Sequence, residues 1–222
     1  MGVRDLVYIG YERRLARQLV GADVPRHVGL MLDGNRRWAR SVGLTDVNRG
    51  HRAGADKIAD LLEWCEEAGV EVVTLWLLST DNLSRDPDEL EPLLRIIEDT
   101  VGDLAGRRRW RLRGMGALDL LPEQTSVALK AAEEDTADLV PTVLQVNIAV
   151  GYGGRREIAD AVRSMLVEHA AKGASIDDVA SYLEVEHIAE HLYTKGQPDP
   201  DLLIRTSGEQ RLSGFLLWQS AH

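Results

Sequence analysis

The chain has 222 residues, 44% hydrophobic and 28% charged, the balance of an ordinary globular protein long enough to bury a core. Its 36 acidic and 26 basic residues give a formal net charge of -10, which excludes the broad basic surface that a nucleic-acid partner needs. A single cysteine, Cys65, excludes an intramolecular disulfide and a cysteine-based metal site, and fits a reducing cytoplasm.

Residues 1–24 read as a helical segment in which Leu6, Val7, Leu15 and Leu19 stand among Arg4, Arg13, Arg14 and Arg17. Charges throughout its first 18 positions argue against a signal peptide, and packing on the chain's own domain or on a second subunit is the expected use. Strand-like runs follow at 27–32, 70–78, 110–115, 143–150, 201–204 and 215–218. Helical periodicity covers 52–68, 86–104, 122–137, 155–171 and 176–192, with a further helix-friendly stretch at Arg36-Arg37-Trp38-Ala39-Arg40. The longest apolar stretch, 72–78 interrupted by Thr74, falls short of the roughly 20 residues of a membrane span. Alternating strands and helices without a linker predict one α/β domain over 1–222, built on a mainly parallel six-stranded sheet flanked by helices.

In an open parallel sheet, ligands gather beyond the carboxyl ends of the strands. The unusual polar residues of this chain lie there: Asp33, the run from Ser79 to Arg85, the run from Gly151 to Arg155, and the run from Arg205 to Arg211. The Gly151-Tyr152-Gly153-Gly154 stretch is not a Rossmann fingerprint, because Arg156 stands where the third glycine belongs. No Walker A triplet occurs. In HVGLMLDGNRRWAR a strand stops at Asp33 and turns at Gly34 and Asn35 into two arginines, a corner suited to a phosphate. A carboxylate there repels a phosphate unless a divalent cation lies between, so one reading is Mg2+ on Asp33 shared with the ligand. The other is that Asp33 simply caps the helix.

Four motifs in order, HVGLMLDGNRRWAR, LLSTDNLSRDPDEL, NIAVGYGGRREI and DLLIRTSGEQRLSGFLLWQ, resemble the cis-prenyltransferases, the undecaprenyl diphosphate synthase family. The resemblance spans almost all of 25–219 and implies Mg2+-dependent condensation of isopentenyl diphosphate with an allylic diphosphate on a homodimer. It implies that Gly34, Asn35, Arg36 and Arg37 hold the allylic diphosphate, with His51 nearby, and that Arg205, Arg211 and Ser213 hold isopentenyl diphosphate. It gives Asp33 to catalysis and to the metal, and Asn82, helped by Ser79, to the proton step, with released pyrophosphate as the other acceptor. It also adds Trp38, Thr80, Asp81, Leu83, Arg85 and Leu212 to the substrate-binding set. Read alone, Ser79 and Asn82 are turn residues and His51 a helix-start histidine.

The sequence departs from the undecaprenyl enzymes in three places. The stretch 44–50 is one residue longer and lacks their arginine. Leu83 replaces their tryptophan, which resembles the actinobacterial short-chain subgroup and implies a Z,E-farnesyl product. A metal-completing glutamate is expected just beyond His222, so the sequence is read as trimmed there. The alternatives are a longer-chain synthase, an irregular lavandulyl-type coupling enzyme and an inactive partner subunit. Membrane contact is expected to be peripheral at most, through the product.

Overall fold

The computed structural model describes residues 3–19, 21–140 and 144–221. Five strands, β1 His27–Met31, β2 Val72–Ser79, β3 Arg111–Met115, β4 Gln145–Tyr152 and β5 Leu202–Arg205, form one sheet in the order β3-β4-β2-β1-β5. Every pairing is parallel. The helices are α1 Val3–Leu19, α2 Asn35–Ser41, α3 Asn48–Ala55, α4 Ile58–Ala68, α5 Pro87–Gly106, α6 Glu123–Asp135, α7 Gly154–Ala171, α8 Ile176–Tyr182 and α9 Val185–Ala189.

Parallel strands covered on both faces are near-continuous apolar runs, and β1 and β4 obey this with Leu30, Val146, Ile148 and Val150 fully or almost fully buried. One face packs on α4 and α5 through Leu62, Leu94, Ile97, Val101 and Leu104. The other buries Met31, Met115, Tyr152, Phe215 and Leu216 around Trp76. Near the starts of the strands, buried His27 bonds Thr74 Oγ1 through Nε2 at 2.8 Å and Pro198 O through Nδ1 at 2.7 Å. Asn147 Nδ2 also donates to Thr74 Oγ1, at 2.9 Å.

The expected sixth strand over 215–218 does not form. Ser213, Gly214 and Leu216 have φ of 51, 84 and 45, and left-handed backbone cannot run on as an extended strand. Its apolar character instead serves burial, with Phe215 stacked on Trp76 at 5.1 Å. The helix expected over 52–68 is two, α3 and α4, divided at Asp56 and Lys57, where Lys57 N bonds Gly54 O, three residues back. The helix expected over 176–192 divides at Leu183 and Glu184, which are extended, and Glu184 with His187 caps the start of α9. The segment expected over 1–24 is α1, with Val7, Tyr8 and Tyr11 exposed. Met1, Gly2, Val20 and Val143, the expected first residue of β4, lie outside the described residues.

Candidate active site

The carboxyl ends of β1, β2 and β5 open into one cavity of about 530 Å³. Its mouth is built by two chain turns zipped together. Asp33 N donates to Thr206 Oγ1 at 2.9 Å, and that hydroxyl lies 2.7 Å from Asp33 O and 3.2 Å from Met31 O. Gly34, at φ 95, turns β1 into α2; only a glycine takes this conformation freely. The next helix is seated closely, since a Cβ on Gly54 would come within 2.7 Å of Asn35 Oδ1.

Arg205 is the hub. Its side chain is 11% exposed and donates to Asp33 Oδ2 through Nη2 at 2.6 Å and Nε at 3.0 Å. It also reaches Arg211 O at 2.6 Å and Ser213 Oγ at 3.3 Å. Burial works against the Asp33 charge, but Arg205, Ser207 and the Gly34 N–H outweigh it and hold the carboxyl below its usual range. Glu209 closes the ring. Its Oε1 lies 2.8 Å from Arg37 Nη1, and its Oε2 lies 2.9 Å from Arg211 Nε and 3.2 Å from Arg205 Nη2.

On the β2 side, Ser79 Oγ accepts from Asn82 N at 3.2 Å, and Arg85 Nη2 donates to Asn82 Oδ1 at 2.9 Å. His51 titrates below its usual value because it is partly buried and faces Arg85 and Arg36, with Glu89 opposing, so it is neutral at physiological pH. Six arginines and two carboxylates line the cavity, a local cation excess in a chain of net charge -10. Behind this mouth the wall is apolar, with Ala55, Ile58, Leu77, Leu93, Ile96 and Ile97. A polyanionic head with a hydrocarbon tail fits such a cavity.

Residues 31–222 match the family described as putative undecaprenyl diphosphate synthase. The chain belongs to that family. The prenyltransferase is 65% identical over 220 residues to the (2Z,6E)-farnesyl diphosphate synthase of Thermobifida fusca, covering 99% of this chain and 85% of that protein. It is 52% identical over 223 residues to the (2Z,6E)-farnesyl diphosphate synthase of Mycobacterium tuberculosis, covering 99% and 84%. Among solved structures it resembles lavandulyl diphosphate synthase from Lavandula x intermedia in complex with dimethylallyl diphosphate. That match has a TM-score of 0.78 and 34% identity, covering 88% of this chain and 83% of that one. A probable undecaprenyl diphosphate synthase from Campylobacter jejuni aligns at TM-score 0.69 and 25% identity, covering 90% and 84%.

The prenyltransferase brings Asp33, Gly34, Asn35, Arg36, Arg37, His51, Ser79, Asn82, Arg85, Arg205, Arg211 and Ser213 to the one cavity. Other expected residues stand off its lining. Trp38 is half exposed on the outer side of α2, and Leu212 packs in the Phe215 cluster. Thr80 bonds Gly151 O, Leu83 packs on the core, and Asp81 is exposed. Glu209 and Arg40 line the cavity without having stood out in the sequence. A glutamate among arginines reads as a surface charge, and only the fold shows which arginines it joins.

Proposed function

We propose that this prenyltransferase condenses isopentenyl diphosphate with geranyl diphosphate to give (2Z,6E)-farnesyl diphosphate. The observation that carries the reading is the cavity itself, with its arginine-rich mouth and an apolar wall of limited volume. The names of the 65% and 52% identical relatives point to the same product. The allylic C–O bond breaks and pyrophosphate departs with the electron pair, so catalysis must stabilise charge growing on the leaving oxygens. Arg36 and Arg37, beside Gly34 and Asn35, suit the allylic diphosphate, with neutral His51 adding no positive charge. Arg205, Arg211 and Ser213 suit isopentenyl diphosphate: its terminal alkene carbon forms the new bond, the methyl-bearing carbon next to it becomes the cation, and the methylene beyond that loses a proton to give the new double bond.

Asn82 Oδ1 already accepts from Arg85, which leaves its Nδ2 free to donate. Asn82, braced by Ser79, therefore suits holding a diphosphate oxygen, and released pyrophosphate is the better proton acceptor.

Among the described residues no group of three or more His, Cys, Asp or Glu could hold a metal alone. Asp33 still fits Mg2+, a hard cation that is commonly held by one or two carboxylates plus substrate phosphates. When bound, Mg2+ would neutralise charge on the leaving diphosphate.

Exposed Leu202 and Ile204 on edge strand β5, with Val167 and Ile176, suit burial in a second copy, and a homodimer is part of the proposal. Among the described residues no helix is long and apolar enough to cross a membrane; we place the enzyme in the cytoplasm, touching membrane at most through its product.

Labelled isopentenyl diphosphate with geranyl diphosphate and Mg2+ tests the reading: the expected product is a Z,E-farnesyl chain, and a longer product overturns it. The lavandulyl-type likeness is tested in the same assay. Product from dimethylallyl diphosphate alone would favour irregular coupling instead.

A further inference from the structure

The segment carrying Ser213 into the crevice is strained. Ser213 and Leu216 hold φ of 51 and 45, values that residues with a Cβ keep only where the surroundings over-determine them. The constraint comes from the first turn of α7, which does not line the cavity. Gly154 N donates to Gly214 O at 3.0 Å. A Cβ on Gly154 would collide with Gly214 O and come within 2.6 Å of Leu217 Cβ. One turn along, Glu157 is fully buried. It accepts from Tyr152 Oη at 2.5 Å, from Tyr193 N at 2.9 Å and from Gln219 Nε2 at 3.0 Å. Gln219 Nε2 also donates to Thr194 Oγ1 at 2.9 Å.

None of these contacts is a cation, and burying a carboxylate without one is costly. An apolar side chain would fill the space at less cost, so packing alone does not account for Glu157. A carboxylate, however, is acceptor-only and can take donors on both oxygens at once. Glu157 thereby ties together three separate pieces: the end of β4, the turn at 193–194 and the segment through Gln219. With Gly214 gripped by α7 at one end and Gln219 at the other, the turns between cannot relax, and Ser213 is held within 3.3 Å of Arg205 Nη1.

We infer that Glu157 is a positioning residue for isopentenyl diphosphate: its buried carboxylate clamps the strained 213–219 segment and so sets where Ser213 and Arg211 meet that diphosphate. The inference rests on the proposed assignment of isopentenyl diphosphate to Arg205, Arg211 and Ser213. It assigns no contact between Glu157 and substrate.

The test uses the full-length enzyme with Mg2+, varying each substrate separately for Glu157→Gln, Gly154→Ala and Gln219→Ala, with thermal melting of each. The expected result is a KM for isopentenyl diphosphate raised roughly tenfold, the scale set by one misplaced buried hydrogen bond, while the KM for geranyl diphosphate stays within about twofold. A merely structural role would lower the melting temperature with neither KM changed, or raise both KM values together, and either result overturns the inference. If Glu157→Gln does not fold, Gln219→Ala decides the matter, because it leaves the carboxylate its Tyr152 and Tyr193 donors. Arg211→Ala and Ser213→Ala run alongside. If they leave the isopentenyl KM unchanged, the diphosphate assignment fails, and the inference falls with it. If they raise it while the α7 variants do not, the assignment stands and the inference alone is overturned.

Discussion

Arg37 and Glu209 form a 2.8 Å ion pair across the mouth of the crevice, tying the first turn of α2 to the loop after β5. The other oxygen of Glu209 engages Arg205 and Arg211, so one carboxylate touches both of the arginine groups proposed for the two diphosphates. On the proposed assignment, an internal anion in that position would compete with the substrates for the same donors.

Glu209→Gln removes the competing charge and keeps the shape. Inorganic pyrophosphate should then inhibit at about two- to fivefold lower concentration, the range for partly exposed ion pairs worth up to ~1 kcal/mol. The check is competition against isopentenyl diphosphate. Weaker inhibition would mean that Glu209 holds the arginines in place rather than competing for them.

Asp33→Asn should lower turnover by about 10²-fold or more, the usual cost of losing one group that stabilises transition-state charge. Single-turnover rates with saturating Mg2+ give the answer, and a melting curve close to wild type excludes unfolding as the cause.

Arg205→Lys keeps the charge but cannot make the forked contact to Asp33. A loss of roughly tenfold or more in kcat/KM is expected, consistent with the larger value of charge-assisted hydrogen bonds. Steady-state kinetics on both substrates measure it, and wild-type kinetics would remove Arg205 from the centre of the site.

Acid should destabilise the protein through His27. Burial lowers its pKa, with Pro198 O, Asp201 and Asp199 opposing, so the unfolded chain binds a proton that the folded one refuses. Stability from this group is whole above the ordinary imidazole value of about 6.5 and declines as pH falls from there toward the folded pKa. His51 is lowered in the same sense. Melting temperature followed downward from neutral pH should fall more steeply for wild type than for His27→Asn.

Ile97→Ala opens the apolar wall where Ile97 is 4% exposed and lines the cavity. The product should lengthen beyond farnesyl, at a stability cost of about 2–5 kcal/mol. Chromatography of the dephosphorylated products reads the first effect and thermal melting the second. An unchanged product would place the length limit elsewhere in the wall.

The turn at Asp33 and Gly34 was legible because its signals are local: a strand run, one carboxylate, a glycine and two arginines within a few positions. The parallel sheet was legible for the same reason, through the alternation of apolar runs with helical periods. What escaped depends on distant partners. Residues 215–218 carry a strand's apolar composition, yet Ser213 and Leu216 are bent by contacts with α7, and no local pattern records that. Glu157 resembles any charged residue in a helix's first turn until Tyr193 and Gln219 close over it. Glu209 is similar, since one of its three arginines, Arg37, comes from α2 on the far side of the sequence, while Arg205 ends β5 and Arg211 lies in the loop beyond. Trp38, given a binding role by the resemblance, is half exposed and stands off the cavity lining, a position that no local pattern announces.

Asp33 and Arg205 meet although 172 positions separate them, because β5 pairs with β1. Bringing such distant segments together costs loop-closure entropy before any contact repays it, so this edge of the sheet should assemble late and slowly. During synthesis the Asp33 turn emerges from the ribosome long before its arginine partner exists. The nascent enzyme therefore carries this corner half-made until β5 docks on β1, and the crevice proposed for the diphosphates closes only then.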